Sequence, residues 1–198
     1  ELERELKIKF RKKNLLINFH PETLNKFSTK KIFNEIISAL KEINNVTLIF
    51  TMPNADLESH VIFKMIKKFV KKNKNCHFFK SLGSLRFFSC LNYVDGMVGN
   101  SSSGLLEMPT FKKGTINIGD RQLGRLMASS VINVKANKKA IIKGINILYS
   151  KKFQSKIQKT KNPYGTGGAN EKIIKILRKI DLKNVLKKNF YIQNTKNV

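Results

Sequence analysis

The sequence predicts an α/β fold, a doubly wound parallel sheet of the Rossmann-like type. Short apolar segments alternate about five times with longer amphipathic segments along the 198 residues, which is the pattern of strands connected by helices. The apolar segments lack the period-two alternation of a half-exposed sheet, so helices should cover both of its faces. Ligands bind beyond the C-terminal ends of the strands in such sheets. Five loops should therefore meet at that edge, those at His20, Pro53, Leu82, 101–103 and 120–121.

In the first half of the chain, strands are predicted where mostly apolar runs are closed by polar, glycine or proline residues: 15–19, 46–50 and 76–79. Apolar residues at helical spacing predict helices in the segments that follow these strands: 26–43, 54–72 and 84–92. Ser28 or Thr29 can cap the first helix and Asn54 or Asp56 the second, because short polar side chains accept the unpaired N–H groups of a first turn.

The second half of the chain continues the alternation. It contains three predicted strands, 93–98, 115–118 and 131–134, and two predicted helices, 138–150 and 170–180, the last one capped by Asn170. The predicted domain boundary follows these elements: one Rossmann-like domain covers 1–182 and a C-terminal tail covers 183–198. Because the chain starts at Glu1 rather than methionine and a charged, helix-prone segment precedes the first strand, we expect a further domain upstream.

The net charge of +26 is compatible with a protein that binds nucleic acid or another polyanion. The basic residues, however, are mostly lysines spread along the chain, with no basic block interleaved with aromatic residues. We therefore interpret the charge as solvated surface and expect no nucleic-acid partner. A basic nucleic-acid-binding module is the non-enzyme alternative.

Cys76 and Cys90 follow no disulfide or zinc pattern, which indicates a reducing compartment and no metal site. No apolar run approaches the roughly 20 residues that span a bilayer, and no signal peptide opens the chain. The sequence therefore predicts a cytoplasmic protein without a membrane partner.

The segment Val98-Gly99-Asn100-Ser101-Ser102-Ser103-Gly104 joins a predicted strand to a short helical segment and is the candidate anion site. Small side chains let a ligand approach, and the free N–H groups of a helix N-terminus, reinforced by the helix dipole, bind phosphate. One serine is enough for a turn or a helix cap. Three serines between two glycines therefore favour phosphate binding.

Glu107 lies four residues after Ser103, so the two should share one face of a helix. The glutamate of a capping box lies three residues after the cap, a position that Leu106 occupies. A carboxylate beside the anion site can accept two ribose hydroxyl groups, each bond contributing about 1.5–3 kcal/mol. Because Pro109 lacks a backbone N–H and clashes with the preceding turn, this helix must be short or must begin late in the segment. An anion site with a carboxylate beside it suggests that the ligand is a nucleotide.

His20 and Arg121 follow other predicted strands and should reach the same edge of the sheet. His20 is either a structural histidine or a group that donates to a leaving phosphate or carries a proton, and both interpretations remain open. Guanidinium geometry suits a diphosphate, and Arg121 is nearer to its strand than Arg125 is. Asp120 is interpreted as the partner that holds Arg121.

Together these motifs resemble the C-terminal half of the UDP-N-acetylglucosamine 2-epimerase family, in particular its hydrolysing branch in sialic-acid and related nonulosonate synthesis. The resemblance covers 15–180 and rests on Phe19-His20-Pro21, 98–104 with Glu107, 117–125 and Asn162-Pro163-Tyr164-Gly165. It implies two Rossmann-like domains of the glycosyltransferase-B type, of which this chain is the second, and no cofactor. The implied partners are a UDP-sugar, the missing N-terminal domain and, in the full-length form, further copies in a homo-oligomer.

The same resemblance implies roles for the candidate residues. The UDP site would comprise Leu82, Asn100, Ser101, Ser102, Ser103, Glu107 and Arg121. Ser101 and Ser102 would contact the diphosphate, Glu107 the ribose and the Leu82 backbone the uracil. His20 matches a histidine implicated in catalysis.

The reaction implied by the resemblance eliminates UDP across C1 and C2 of the sugar and then adds water to release the 2-epimer, N-acetylmannosamine. The carboxylates that move protons lie mainly in the first domain of this family, so we expect the present half alone to be inactive. The chain departs from the family at Thr166-Gly167-Gly168, which leaves UDP-N,N'-diacetylbacillosamine as an alternative substrate. A glycosyltransferase of the same architecture is a further alternative.

Overall fold

Six parallel strands form one sheet, and they lie where the apolar runs occur in the sequence: β1 Lys13–Asn18, β2 Val46–Thr51, β3 Cys76–Phe79, β4 Gly96–Gly99, β5 Gly114–Ile118 and β6 Val131–Val134. The computed structural model describes residues 1–22 and 28–181. Within this part the strand order is β3-β2-β1-β4-β5-β6, and every neighbouring pair is parallel. The predicted doubly wound, Rossmann-like fold is confirmed.

Helices connect the strands and cover both faces of the sheet: α1 Leu2–Leu6, α2 Thr29–Leu40, α3 Ser59–Lys71, α4 Gly83–Tyr93, α5 Ser103–Leu106, α6 Lys138–Leu148 and α7 Lys151–Gln158. Leu15 and Ile17 of β1 are buried in a cluster to which α2, α3 and α6 contribute, whereas Leu16 is buried in a cluster with α1 and α4. Burial contributes roughly 2 kcal/mol per side chain of this size. Because both faces are buried, the strand needs no polar alternation. None of the helices in the described ranges combines the length and the apolar character needed to cross a bilayer.

Two predicted boundaries are wrong because tertiary contacts override the local pattern. Tyr93, predicted as the first residue of a strand, is the last residue of α4, and β4 begins at Gly96. Helix α3 begins at Ser59 and is not capped by Asn54 or Asp56. The backbone N–H of Asn54 is instead donated to the imidazole of His20.

Serine residues cap two of the helices. Ser28 accepts the backbone N–H of Lys31 at 3.3 Å and starts α2, as predicted; residues 26 and 27 of the predicted helix lie outside the described ranges. Ser150 accepts the backbone N–H of Phe153 at 3.3 Å and starts α7. The sequence pattern does not predict α7, because only Phe153 and Ile157 of its eight residues are buried.

The chain divides by its internal contacts after Tyr164, and the unit that begins at Gly165 contains helix α8, Ala169–Leu177. Gly168 precedes this helix with a φ of 75°, so Asn170 lies inside the first turn and does not cap it. The predicted tail over 183–198 lies outside the described residues, and the boundary after residue 182 stays a prediction.

The two cysteines are buried thiols without a disulfide partner. Burial raises the pKa of Cys76 to about 11 and that of Cys90 to about 12. Because the thiolate is the reactive form of cysteine, neither side chain is an effective nucleophile at neutral pH.

Candidate functional site

The strand order reverses between β1 and β4, which are direct neighbours with Asn18 opposite Gly99. In doubly wound sheets, the loops that leave two such strands diverge and open a crevice at their C-terminal ends. His20 follows β1, and the serine segment follows β4. Two of the predicted site loops therefore lie together at the position where this fold binds ligands.

Gly99 allows the ends of these two strands to approach closely. Its φ is +150°, and a Cβ atom at this position would lie 1.8 Å from the carbonyl oxygen of Asn18. The next residue, Asn100, donates its backbone N–H to the same oxygen at 3.2 Å. A side chain at position 99 would push the strand ends apart and displace the serine segment.

Asn100 links three of the loops through hydrogen bonds. Its Oδ1 accepts the backbone N–H of His20 at 2.7 Å, and its Nδ2 donates to the carbonyl oxygen of His20 at 2.9 Å and to Oε1 of Glu22 at 3.0 Å. Its own carbonyl oxygen accepts from Nη1 of Arg121 at 3.1 Å and from Nε2 of Gln122 at 2.7 Å. The loops after β1, β4 and β5 therefore converge on one buried asparagine.

His20 is buried, with 5% of its surface exposed, and its ring is held by the loop after β2. Nδ1 accepts the backbone N–H of Asn54 at 3.1 Å. Burial, followed by the positive charge of Arg121, lowers the pKa of His20 to about 4, and Asp56 acts in the opposite direction. The 3.8 Å separation of Nδ1 from Oδ2 of Asp56 is too long for a hydrogen bond. At neutral pH the ring is therefore uncharged.

The serine segment presents unpaired backbone donors. The carbonyl groups of Ser101 and Ser102 accept N–H groups from the following turn at 2.8–3.2 Å, but their own N–H groups have no acceptor within the described chain. Helix α5 has only four residues, so the helix dipole expected from the sequence makes little contribution here. The two N–H groups and the serine hydroxyls remain as donors for an anion.

Glu107 lies one helical turn after Ser103, to whose carbonyl oxygen it donates its backbone N–H at 3.0 Å. Its side chain is half-buried, and Oε2 is inaccessible to solvent without a hydrogen-bond partner among the described residues. An unpaired buried acceptor costs about 1–3 kcal/mol. The carboxylate therefore keeps a hydrogen-bond acceptor that the described residues do not use.

Arg121 and Asp120 differ in their contacts. Arg121 donates to Asn100, as described above, and leaves most of its five N–H groups available. Within the described part of the chain, no ion pair joins Asp120 to Arg121. The interpretation of Asp120 as the partner of Arg121 is wrong, because the carbonyl oxygen of Asn100 takes that place.

Leu82 lies after β3, and its side chain is buried in the cluster that contains Leu91 and Met97. Its carbonyl oxygen accepts from Nε of Arg86 at 2.9 Å. Only its backbone N–H remains for a ligand. Among the described residues, Leu82 makes no hydrogen bond to the other four site loops. Its position beside the uracil therefore stays a prediction.

The serine segment and Glu107 are partly buried and do not belong to the described lining of the cavity at this edge of the sheet. Ser101 is 7% exposed, and Ser102, Ser103 and Glu107 are half-buried. That cavity, of about 800 Å³, lies at the C-terminal ends of β5 and β6, and its described lining includes Asn117 and Asp120.

Sequence reasoning did not assign roles to three residues of this site. Gln122, 1% exposed, anchors the loop after β5 on Asn100. Asn54 and Asp56 lie against His20, although the sequence suggested them only as helix caps. The available signal was their place in loops that follow predicted strands, Asn54 and Asp56 after 46–50 and Gln122 after 115–118.

The fold and the arrangement at the switch point define a Rossmann-like domain of the glycosyltransferase-B type. A sequence model of the family described as UDP-N-acetylglucosamine 2-epimerase matches residues 1–178. The chain belongs to this family, which confirms the resemblance found in the sequence.

Two relatives and one solved structure are similar to this chain over almost its whole length. The polysialic acid biosynthesis protein P7 of Escherichia coli is 40% identical over 195 residues, which cover 94% of this chain and 49% of that protein. The GDP/UDP-N,N'-diacetylbacillosamine 2-epimerase (hydrolyzing) of Campylobacter jejuni is 38% identical over 192 residues, which cover 96% and 50%. The UDP-GlcNAc 2-epimerase of Neisseria meningitidis bound to UDP-GlcNAc superimposes with a TM-score of 0.67 at 20% identity, over 90% of this chain and 47% of that one. The chain spans about half the length of the curated relatives it matches, and this half is the C-terminal one.

Proposed function

We propose that this chain is the UDP-binding half of a hydrolysing 2-epimerase that acts on a UDP-linked N-acetylated amino sugar. The observation that carries the proposal is that the N–H groups of Ser101 and Ser102, and the buried Oε2 of Glu107 one turn further on, have no hydrogen-bond partner among the described residues. A nucleoside diphosphate offers the matching groups, an anionic diphosphate next to a ribose with two hydroxyl groups. The identity of 38% with a hydrolysing 2-epimerase supports this choice of reaction.

In the proposed complex, each end of the nucleotide meets a different group. The N–H groups and hydroxyls of Ser101, Ser102 and Ser103 bind the diphosphate, and the guanidinium group of Arg121 neutralises part of its charge. The carboxylate of Glu107 accepts the two ribose hydroxyls. The backbone N–H of Leu82 donates to the uracil.

The proposed reaction consumes one water molecule for each UDP released. A proton leaves C2 of the sugar and the bond between C1 and the UDP oxygen breaks, which forms a C1–C2 double bond. The hydroxyl of water then adds to C1, and a proton adds to C2 from the opposite face. With UDP-N-acetylglucosamine, the products are UDP and N-acetylmannosamine. His20, uncharged at neutral pH, donates a hydrogen bond to the departing phosphate and does not carry the C2 proton.

The match to only about half the length of the curated relatives supports a site that a second domain completes. The groups that remove and return the C2 proton are expected on that N-terminal domain, so the present half should release no UDP by itself. A cytoplasmic, homo-oligomeric full-length enzyme is part of this proposal.

A second candidate substrate is UDP-N,N'-diacetylbacillosamine. Relatives named for the hydrolysing 2-epimerase of this sugar are 38% identical in Campylobacter jejuni and 33% identical in Legionella pneumophila. The two substrates share the nucleotide and differ in substituents of the sugar ring, so the difference lies on the sugar side of the cleft and not on the nucleotide side that we assign to this chain.

The proposal is tested with the two-domain protein and each UDP-sugar in the absence of any acceptor. Release of UDP together with a free 2-epimerised sugar is the expected result, and the ratio of kcat/KM for the two sugars identifies the substrate. The present chain alone is the control and should release none. If UDP appears only after an acceptor is added, the protein is a glycosyltransferase. Tight binding to oligonucleotides that falls steeply with salt and is unaffected by UDP would instead favour the nucleic-acid-binding module.

A further inference from the structure

We propose that Asn100 is a positioning residue, which fixes His20 in the catalytic cleft and does not itself contact the nucleotide. This inference rests on the proposed function and refines it, because the resemblance alone groups Asn100 with the residues that bind UDP. It concerns a residue that acts through another residue, so its effect should appear in turnover rather than in nucleotide affinity.

The side chain of Asn100 has no donor left for a phosphate. An asparagine amide carries two donor hydrogens, and those of Asn100 are used by the carbonyl oxygen of His20 at 2.9 Å and by Oε1 of Glu22 at 3.0 Å. The side chain is also fully buried, since the exposed fraction of the residue is 0%. A diphosphate can only accept hydrogen bonds, so it gains nothing from this amide.

The same bonds hold the backbone of His20 from both sides. The Oδ1 atom of Asn100 accepts the His20 N–H, while Nδ2 donates to the His20 carbonyl. This pair of bonds continues the contact between β1 and β4 one step beyond the end of the sheet. The imidazole is then placed so that Nδ1 accepts the N–H of Asn54 at 3.1 Å. Because Nδ1 accepts, the proton of the uncharged ring is assigned to Nε2.

The backbone of Asn100 has a separate role. Its carbonyl oxygen anchors Arg121 and Gln122. A substitution of the side chain leaves this carbonyl in place, so the loop after β5 keeps its anchor. Loss of the side chain should therefore misplace His20 while the groups proposed to bind UDP remain.

The experiment compares Asn100→Ala with Asn14→Ala in the two-domain enzyme, alone and combined with His20→Ala. Asn14 is a matched control, because it is a buried asparagine at the other end of β1 whose side chain also accepts a backbone N–H, at 2.8 Å, and donates to a carbonyl, at 2.7 Å, both of Arg11. We expect Asn100→Ala to lower kcat by about 10²-fold, the usual effect of a misplaced catalytic group. The dissociation constant for UDP should change by no more than about twofold, which is the variation expected when a substitution and a binding site act independently.

Two outcomes would overturn the inference. A loss of UDP affinity as large as the loss of kcat would make Asn100 a ligand. Equal effects of Asn100→Ala in the wild-type and His20→Ala backgrounds would make it a merely structural residue, because a residue that acts through His20 has no further effect once His20 is absent.

The inference also stays testable if the two-domain protein turns over no UDP-sugar, an outcome that would refute the proposed function alone. The ring ¹⁵N signals of His20 in the present chain should show an accepting Nδ1 and a protonated Nε2 at pH 7. Asn100→Ala should change these signals, and Asn14→Ala should not. Unchanged His20 signals in a folded Asn100→Ala protein would overturn the positioning role. If Asn100→Ala does not fold, Asn100→Ser replaces it in the same measurements.

Discussion

Replacing Glu107 with glutamine should have opposite effects on the free and the nucleotide-bound protein. In the free protein, Oε2 of Glu107 is buried and has no hydrogen-bond partner in the part of the chain that the structure describes. An amide is less costly to bury than a carboxylate, so Glu107→Gln should leave the free energy of unfolding unchanged or raise it by up to about 1 kcal/mol. For a protein of this size, that corresponds to an increase in Tm of about 2–4 °C.

The UDP complex should be weakened by the same substitution. Bonds to a charged acceptor contribute about 1.5–3 kcal/mol and neutral bonds about 0.5–1.5 kcal/mol, so two ribose bonds lose about 2 kcal/mol together. The dissociation constant for UDP should then rise about 30-fold. At a UDP concentration 100 times the wild-type dissociation constant, UDP stabilises the wild type by about 2.7 kcal/mol and the variant by only about 0.9 kcal/mol.

Thermal unfolding with and without UDP measures both effects, and calorimetry gives the dissociation constants. The variant should be at least as stable as the wild type without UDP and less stable with it. Glu5→Gln is the control, because it removes the same charge from an exposed position in α1 and should alter neither quantity. If Glu107→Gln destabilises the free protein by more than 1 kcal/mol, or if it binds UDP as tightly as the wild type does, the carboxylate has a structural role and the ribose assignment is wrong.

Three further substitutions test the pKa of a site residue, the switch point and a helix cap. The pKa of His20 is 6.5 in the unfolded chain and about 4 in the folded one. Between these values the unfolded state binds more protons than the folded state. The free energy of unfolding therefore falls as the pH drops from 6.5 to 4, by up to about 3 kcal/mol. Denaturant titrations should therefore show a smaller acid loss for His20→Gln than for the wild type or the exposed His60→Gln, and equal losses would contradict the buried neutral ring. Gly99→Ala should destabilise the protein by about 3 kcal/mol or more, because its Cβ would lie 1.8 Å from the Asn18 carbonyl oxygen. The control Gly124→Ala, also at positive φ but with no atom within 4 Å, should lower the free energy of unfolding by only about 1 kcal/mol. Similar losses for the two variants would argue against the close strand contact. Ser150→Ala should lower the unfolding free energy by about 1 kcal/mol through loss of the α7 cap, whereas Ser155→Ala in the same helix should be neutral or slightly stabilising.

The fold was predictable because its four central strands, β1, β2, β4 and β5, are buried on both faces and the two edge strands are also short apolar runs. Residues 76–79 and 131–134 were predicted with the boundaries that the structure has. The start of β4 was not predictable, because Tyr93 has the propensity of a strand residue and only its place after the buried Cys90 and Leu91 of α4 makes it helical. Local propensity identified the elements, and tertiary packing decided where α4 ended and β4 began.

The site was predictable at the level of groups but not at the level of contacts. Serines between glycines, a carboxylate one turn later and a histidine after a strand are each visible in a local pattern. The bonds that assemble them are not, since Asn100 and His20 are 80 residues apart. No spacing rule reveals that an amide in one loop will pair with the backbone of another, so the contact between Asn100 and His20 could not be predicted from the sequence.

The base of this site and the groups proposed to bind the nucleotide differ in their hydrogen bonding. Asn100, Gln122 and His20 are buried, and both His20 and Gln122 are hydrogen-bonded to Asn100, so the base of the crevice is fixed before any ligand arrives. The N–H groups of Ser101 and Ser102 and the Oε2 of Glu107 have no hydrogen-bond partner among the described residues. A base that is already ordered in the folded protein adds no further ordering cost when a nucleotide binds at the proposed site.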